Sequence, residues 1–177
     1  YRLTAHLMLA IFLFAYILWW IADIFVPQKS LVSHGNLRRF LQLLIGVTIV
    51  QIIFGGFMSG LHAAQYYATW PDMNGQMIPN ELFTIDPFWL NFFENRATIQ
   101  FTHRGIAYVL TALIIVFWYR VRQSDIKAGL YRKSVNFLLV VLGVQFLLGV
   151  LVLLNSSQGI PGGFWCGASG GRFVAIE

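Results

Sequence analysis

Four apolar runs, each about the length of a bilayer span, alternate with short basic segments and one long polar segment. The runs cover residues 4–26, 37–61, 103–119 and 134–154, and a span needs roughly 20 apolar residues. Each is apolar nearly all round, as in helices immersed in lipid, and not striped like helices on a soluble core. Pro27 ends the first run, Arg38 and Arg39 open the second, and Tyr119-Arg120 closes the third. The pattern predicts an all-α, polytopic membrane bundle with four transmembrane helices in one domain.

Charge orients the bundle. Lys29, His34, Arg38 and Arg39 lie between the first two runs, and Arg120, Arg122, Lys127, Arg132 and Lys133 between the last two. Basic short loops belong on the inner side. The 62–100 connection carries Asp72, Glu81, Asp86 and Glu94 against Arg96, so it is expected outside, with both chain ends. Trp19, Trp20, Trp118 and Tyr119 fall at the inner boundaries, where aromatic belts sit. Within the long connection, Trp70-Pro71-Asp72-Met73-Asn74-Gly75 reads as a turn with an aromatic anchor. Phe88, Trp89, Leu90, Phe92 and Phe93 read as a cluster on the membrane surface. A loop this long is usually functional.

Composition agrees with the pattern: 58% of residues are hydrophobic and 11% charged, against about 25% charged in soluble domains. The net charge of +5 comes from short loops, which excludes nucleic acid as a partner and leaves membrane lipid. The single Cys166 excludes an internal disulfide and a multi-cysteine metal site. The start at Tyr1 lacks the charged region and cleavage site of a signal peptide and reads as the edge of a longer chain. No P-loop, GxGxxG, HExxH or hydrolase elbow occurs. Asp23 lies near the inner end of its helix, and no carboxylate stands mid-membrane, which weakens pump and transporter readings.

The chemistry centres on histidines. His103 and Arg104 are expected at the mouth of the third helix, where a neutral imidazole can ligate haem iron and a guanidinium can hold a propionate. The plainer alternative is an interfacial pair bonded to loop backbone. His6 sits one turn into the first helix, at the same outer level, so it either joins His103 around a haem or bonds a neighbouring helix. Arg2 is a propionate partner or an interfacial anchor. His62 reads as a solvated loop residue and His34 as structural. Glu94 either handles protons near the outer face or caps the incoming helix. Gly56 and Gly60 have the spacing for close helix approach. Gln51 and Gln145 are amides near mid-membrane that must bond across helices. They belong to a short echo, Val50-Gln51-x-x-x-Gly55 and Val144-Gln145-x-x-x-Gly149, which suggests an internal repeat.

The ordered series Thr69-Trp70-Pro71-Asp72-Met73-Asn74-Gly75-Gln76-Met77-Ile78-Pro79, Asn91-Phe92-Phe93-Glu94-Asn95 and Gln100-Phe101-Thr102-His103-Arg104 closely resembles the haem A synthases. Tyr1-Arg2-Leu3-Thr4-Ala5-His6-Leu7 matches the start of that family's fourth helix, and the resemblance covers residues 1–154. It implies an eight-helix parent of two similar halves, in a bacterial cytoplasmic or mitochondrial inner membrane, with haem sites toward the outer face. The implied activity is oxidation of the C8 methyl of haem O to a formyl group, through successive hydroxylations and loss of water, with haem B as cofactor. The implied partners are the haem O-forming farnesyltransferase, an electron donor and a possible second copy of the chain.

On that mapping His103 ligates the cofactor haem and His6 belongs to the substrate half, so the two are not a pair. Arg104 is the propionate candidate; Tyr66, Trp70 and Glu94 are weaker lining candidates, Glu94 also for catalysis. Residues 1–27 would be the last helix of the first half, 28–154 a second half lacking its final helix, and 155–177 an atypical Gly/Ser-rich tail. The first three helices with their Glu-x-x-His motif, and the last helix with its histidine, are expected to lie outside this chain, which alone is then expected to be inactive. Thr102 and His62 stand where many relatives carry an acidic residue. The rival readings are a b-type electron-transfer cytochrome using His6 and His103, and a haem-free membrane scaffold.

Overall fold

A computed structural model describes residues 2–25, 35–124 and 129–156. Lys29, His34, Lys127, Cys166 and the Gly/Ser-rich tail beyond 156 lie outside the described residues, as does the helix end at Pro27. Five α-helices run in order: α1 (Arg2–Phe25), α2 (Gly35–Gly60), α3 (Asn91–Glu94), α4 (Arg96–Gln123) and α5 (Gly129–Ser156). No strand occurs among the described residues. All but α3 are long and apolar enough to cross a membrane, so the chain is an all-α, multi-pass membrane protein.

The first two predicted spans agree with α1 and α2 to within two residues at each end. The third does not: α4 starts at Arg96, two turns before the predicted start. Its first turns carry Thr98 and Gln100, which read as loop in a hydropathy pattern. Both are fully buried, against the long loop and away from lipid. His103 therefore lies two turns inside α4, not at its mouth.

α4 packs on α2 and α5, while α1 leans on α2. At the end away from the long loop, Leu44 of α2, Leu110, Ile114, Phe117 and Val121 of α4 and Val135 of α5 form one core. Phe40 meets Phe117 edge-on at 5.6 Å. Arg120 at the end of α4 lies over the Phe40 ring, so a basic residue tops the apolar core at this end.

The α1–α2 crossing is close. A Cβ built on Gly56 would stand 2.8 Å from the Thr4 side chain, and Thr4 is the buried residue of α1. With lipid as apolar as leucine, close backbone approach is what holds such helices together. Gly56→Ala is expected to cost about 2 kcal/mol by overpacking, and Thr4→Ala in the same chain should restore most of it. A thermal melt in detergent equal for Gly56→Ala and the parent chain would exclude this contact.

Candidate functional site: a histidine cavity under a latched loop

The long loop is held by side chains that cap and fill. Asn95 is the N-cap of α4, its side chain accepting from the backbone N–H groups of Ala97 at 2.9 Å and Thr98 at 3.2 Å. The capping role weighed for Glu94 thus belongs to Asn95, whose extended backbone and short amide suit it. The Asn95 Nδ2 donates to Glu81 O, Thr84 Oγ1 and Asn91 Oδ1. Asn91, fully buried, donates to the carbonyls of Ile85 and Phe88 and accepts from the Ile85 N–H. The two amides satisfy loop backbone that would otherwise be stranded. Beyond them the loop exposes aromatic surface: Phe83, Phe88 and Phe92 form a cluster with ring centroids 5.0–5.8 Å apart.

Tyr67, Met73 and Ala97 make a second small core between loop and α4. The Tyr67 hydroxyl donates to Glu81. Burial first, then this bond to the carboxylate, pushes the phenol well above its ordinary value. A group whose pKa is raised on folding contributes stability that is intact below the unfolded value, about 10 for tyrosine, and is lost as pH climbs through the raised one. The loop is therefore expected to loosen above about pH 10. Tyr67→Phe should remove that dependence in a pH series of limited proteolysis; an unchanged alkaline transition would exclude Tyr67 as its source.

The segment 67–72 descends along α4. Arg104 donates to three of its carbonyls: Asp72 at 2.7 Å, Thr69 at 2.8 Å and Tyr67 at 3.1 Å. Gln100 Nε2 adds a second bond to Tyr67 O at 2.8 Å. The turn below closes on itself, with Asn74 (φ 55°) and Gly75 (φ 85°) in the left-handed region that these residues tolerate. Trp70 then reaches Tyr108, its indole N–H donating to the phenol oxygen at 3.2 Å, and meets Phe146 of α5 edge-on at 6.3 Å.

Behind Trp70 lies a cavity of about 480 Å³ among α1, α2, α4 and α5. Its chemistry is concentrated at His103. Gln51 Nε2 of α2 lies 3.3 Å from His103 Nε2. The Gln51 amide thus engages one ring nitrogen and leaves the other, Nδ1, without a partner. Gly55, one turn on, makes room: a Cβ would stand 3.2 Å from His103 Cε1. His103 Nδ1, Gln51 Oε1 and Arg104 Nε are all buried without a partner. Gln145 and Gly149, the echo of Gln51 and Gly55, line the same cavity from α5.

A second cavity of about 680 Å³ lies on the loop side of α2, lined by Tyr66, Glu81, Glu94, Arg96 and the Gly56 and Gly60 backbone. Arg96 covers the Tyr66 ring at 5.0 Å. The sequence candidates thus separate: Trp70, His103 and Arg104 share one cavity, Tyr66 and Glu94 the other. His6 is exposed on α1 and lines neither, as does His62, which has a left-handed backbone (φ 51°). Sequence reasoning treated Gln51 as structural glue; its spacing to Gly55 and the echo in α5 were the available signal for a role at His103. Among the described residues no three His, Cys, Asp or Glu side chains gather as a bare metal ion would need. A lone imidazole suits a metal that brings its own equatorial ligands.

Residues 1–160 match the family profile described as cytochrome oxidase assembly protein, COX15-CtaA. Among curated proteins, the chain is 39% identical over 157 residues to "Heme A synthase" of Nitrosospira multiformis, covering 87% of this chain and 44% of that one. It is 37% identical over 156 residues to "Heme A synthase" of Wolbachia pipientis (87% and 42%). The "Heme A synthase" of Bartonella henselae is 36% identical over 155 residues (88% and 43%). The chain thus spans less than half the length of these relatives. No solved structure matches it.

Proposed function

The chain belongs to the COX15-CtaA family of cytochrome oxidase assembly proteins, and from that we propose that it works within a haem A synthase, as an oxidoreductase that converts the C8 methyl of haem O to a formyl group beside a haem B cofactor. The observation that carries the reading is the half-buried His103 ring, held beside a cavity by Gln51 and given room by Gly55. Three residues lining that cavity, Gln51, His103 and Arg104, each carry a buried polar atom without a partner, which supports a ligand with polar groups as well as a metal.

The residues fit a haem. The cavity is mostly apolar and within the size range of ligand sites, about 300–1,000 Å³. His103 would supply the axial nitrogen, and Arg104 Nε is the donor left for a propionate once the rest of that guanidinium is committed to the loop. When bound, haem supplies the redox and oxygen chemistry; the protein supplies placement and electrostatics. In this reading the Gln51 amide holds the ring at Nε2, and the unpartnered Nδ1 is the nitrogen left for a metal. The apolar walls exclude water. Trp70 closes the gap between α4 and α5. His6 would serve a second, substrate haem from α1. Glu94, in the loop-side cavity, would handle protons at the surface.

We place the long loop on the outer face of a bacterial cytoplasmic or mitochondrial inner membrane, consistent with the basic residues at the other end of α4, Arg120 and Arg122. The partners would be the farnesyltransferase that makes haem O, an electron donor and, as a possible assembly, a second copy.

The test is expression of the whole reading frame that contains this chain, in cells that make haem O but lack a haem A synthase. Extracted haem A is the expected product. A six-coordinate haem spectrum without haem A would instead favour a b-type cytochrome, and absence of pigment a scaffold.

A further inference from the structure

Arg104 and Trp70 do something together that neither does alone. Tyr108, the partner of Trp70, lies twelve residues along α4 from Arg96, roughly 18 Å at 1.5 Å per residue. The segment around Trp70 is thus non-helical backbone carried down to the level of the membrane helices. Backbone at such depth is tolerated only where its polar groups are satisfied by protein. Arg104 is what satisfies them, through the carbonyls of residues 67, 69 and 72. The descent places an indole against Tyr108 and Phe146, in the seam between α4 and α5. Among the described residues, Trp70 is the one that lines the His103 cavity without being on a membrane helix, and it remains 41% exposed.

We propose that Trp70 is a side gate to the His103 cavity, that Arg104 is the latch that holds it shut, and that a flat, largely apolar macrocycle passes between α4 and α5 when the indole swings away. The proposal rests on the haem reading for the identity of the ligand, but not for the existence of the gate. It assigns Arg104 mainly to the loop backbone. The indole, held by one hydrogen bond and one ring contact, is the movable part. Arg104, with three charge-assisted bonds, is the fixed part.

Two measurements test it on the protein in its native frame. The first is the rate of haem loss from the purified, haem-loaded protein to excess apomyoglobin. Trp70→Ala and Arg104→Met should each raise it about 10-fold, the loss of one or two moderate contacts. The double variant should be no faster than the faster single one, because both act through one segment. Multiplied effects would mean that an Nε contact to a propionate outweighs the three loop bonds, and would overturn the latch. An unchanged rate in Trp70→Ala would overturn the gate.

The second measurement needs no haem. A cysteine is placed at Val150 in the cavity wall, with Cys166→Ser as background, and labelled in membranes. Trp70→Ala and Arg104→Met should each accelerate a lipid-soluble maleimide more than a water-soluble one. Equal acceleration of both probes would overturn the lateral route. If haem proves not to depend on His103 yet the labelling result holds, the haem reading fails and the gate stands.

Discussion

On the proposed reading, replacing His103 with alanine is expected to abolish haem absorbance at the cavity among α1, α2, α4 and α5, and with it haem A formation. The ring is the cavity's only imidazole among the described residues, so nothing there can take its place. Loss of an outer partner of a metal ligand typically costs about 10- to 100-fold, so loss of the ligand itself should cost at least about 100-fold in haem affinity. Gln51→Leu, which keeps volume and removes the amide, belongs to the outer class and should cost about 10-fold. Haem titration of both variants, monitored by the Soret band, decides the matter. Wild-type affinity in His103→Ala would exclude this histidine as the ligand. An unaltered fold, checked by circular dichroism, is expected in both, because the ring touches α2 where a glycine already leaves space.

Asn95→Ala is expected to give the largest loss of stability of any single change in the loop, about 3 kcal/mol. That figure combines the typical loss of an N-cap, about 1 kcal/mol, with about 1–3 kcal/mol for buried groups left without a partner. The groups stranded are the first N–H groups of α4 on one side and Glu81 O, Thr84 and Asn91 on the other. Asn95→Asp would keep the cap and lose the three donations, so it should fall between. Thermal unfolding in detergent should rank the parent chain above Asp and Asp above Ala. An alanine variant within about 0.5 kcal/mol of the parent, the usual range for unimportant surface sites, would remove Asn95 from this role.

The fold was legible where lipid does the selecting. Residues 4–26 and 37–61 are uniformly apolar because lipid surrounds them, so hydropathy marks α1 and α2 closely. It misplaced the start of α4 because Thr98 and Gln100 meet protein there. A buried polar residue satisfied by a loop looks the same in a sequence as one facing water. The candidate site was legible by residue type but not by partner. His103, Arg104 and Trp70 stand out as rare groups in an apolar chain, and all three reach one cavity. What Arg104 binds was not visible, because its acceptors are backbone carbonyls, which every residue carries. The Gln51–His103 contact depends on which faces of α2 and α4 meet, and two helices apolar all round give no signal of facing. Glu94 drew attention by its charge, while the cap fell to the neutral Asn95 beside it.

The bonds between the long loop and α4 also set an order of assembly. Residues 67–95 leave the ribosome before α4, yet the donors that satisfy Tyr67, Thr69 and Asp72 are Gln100 and Arg104. Until α4 is threaded through the bilayer, those carbonyls lack these donors. The segment therefore docks beside α4 only after the helix that follows it has been inserted. Biogenesis here runs backward along the chain, from α4 to the loop, and a defect in α4 insertion would first be seen as proteolytic nicking near Trp70.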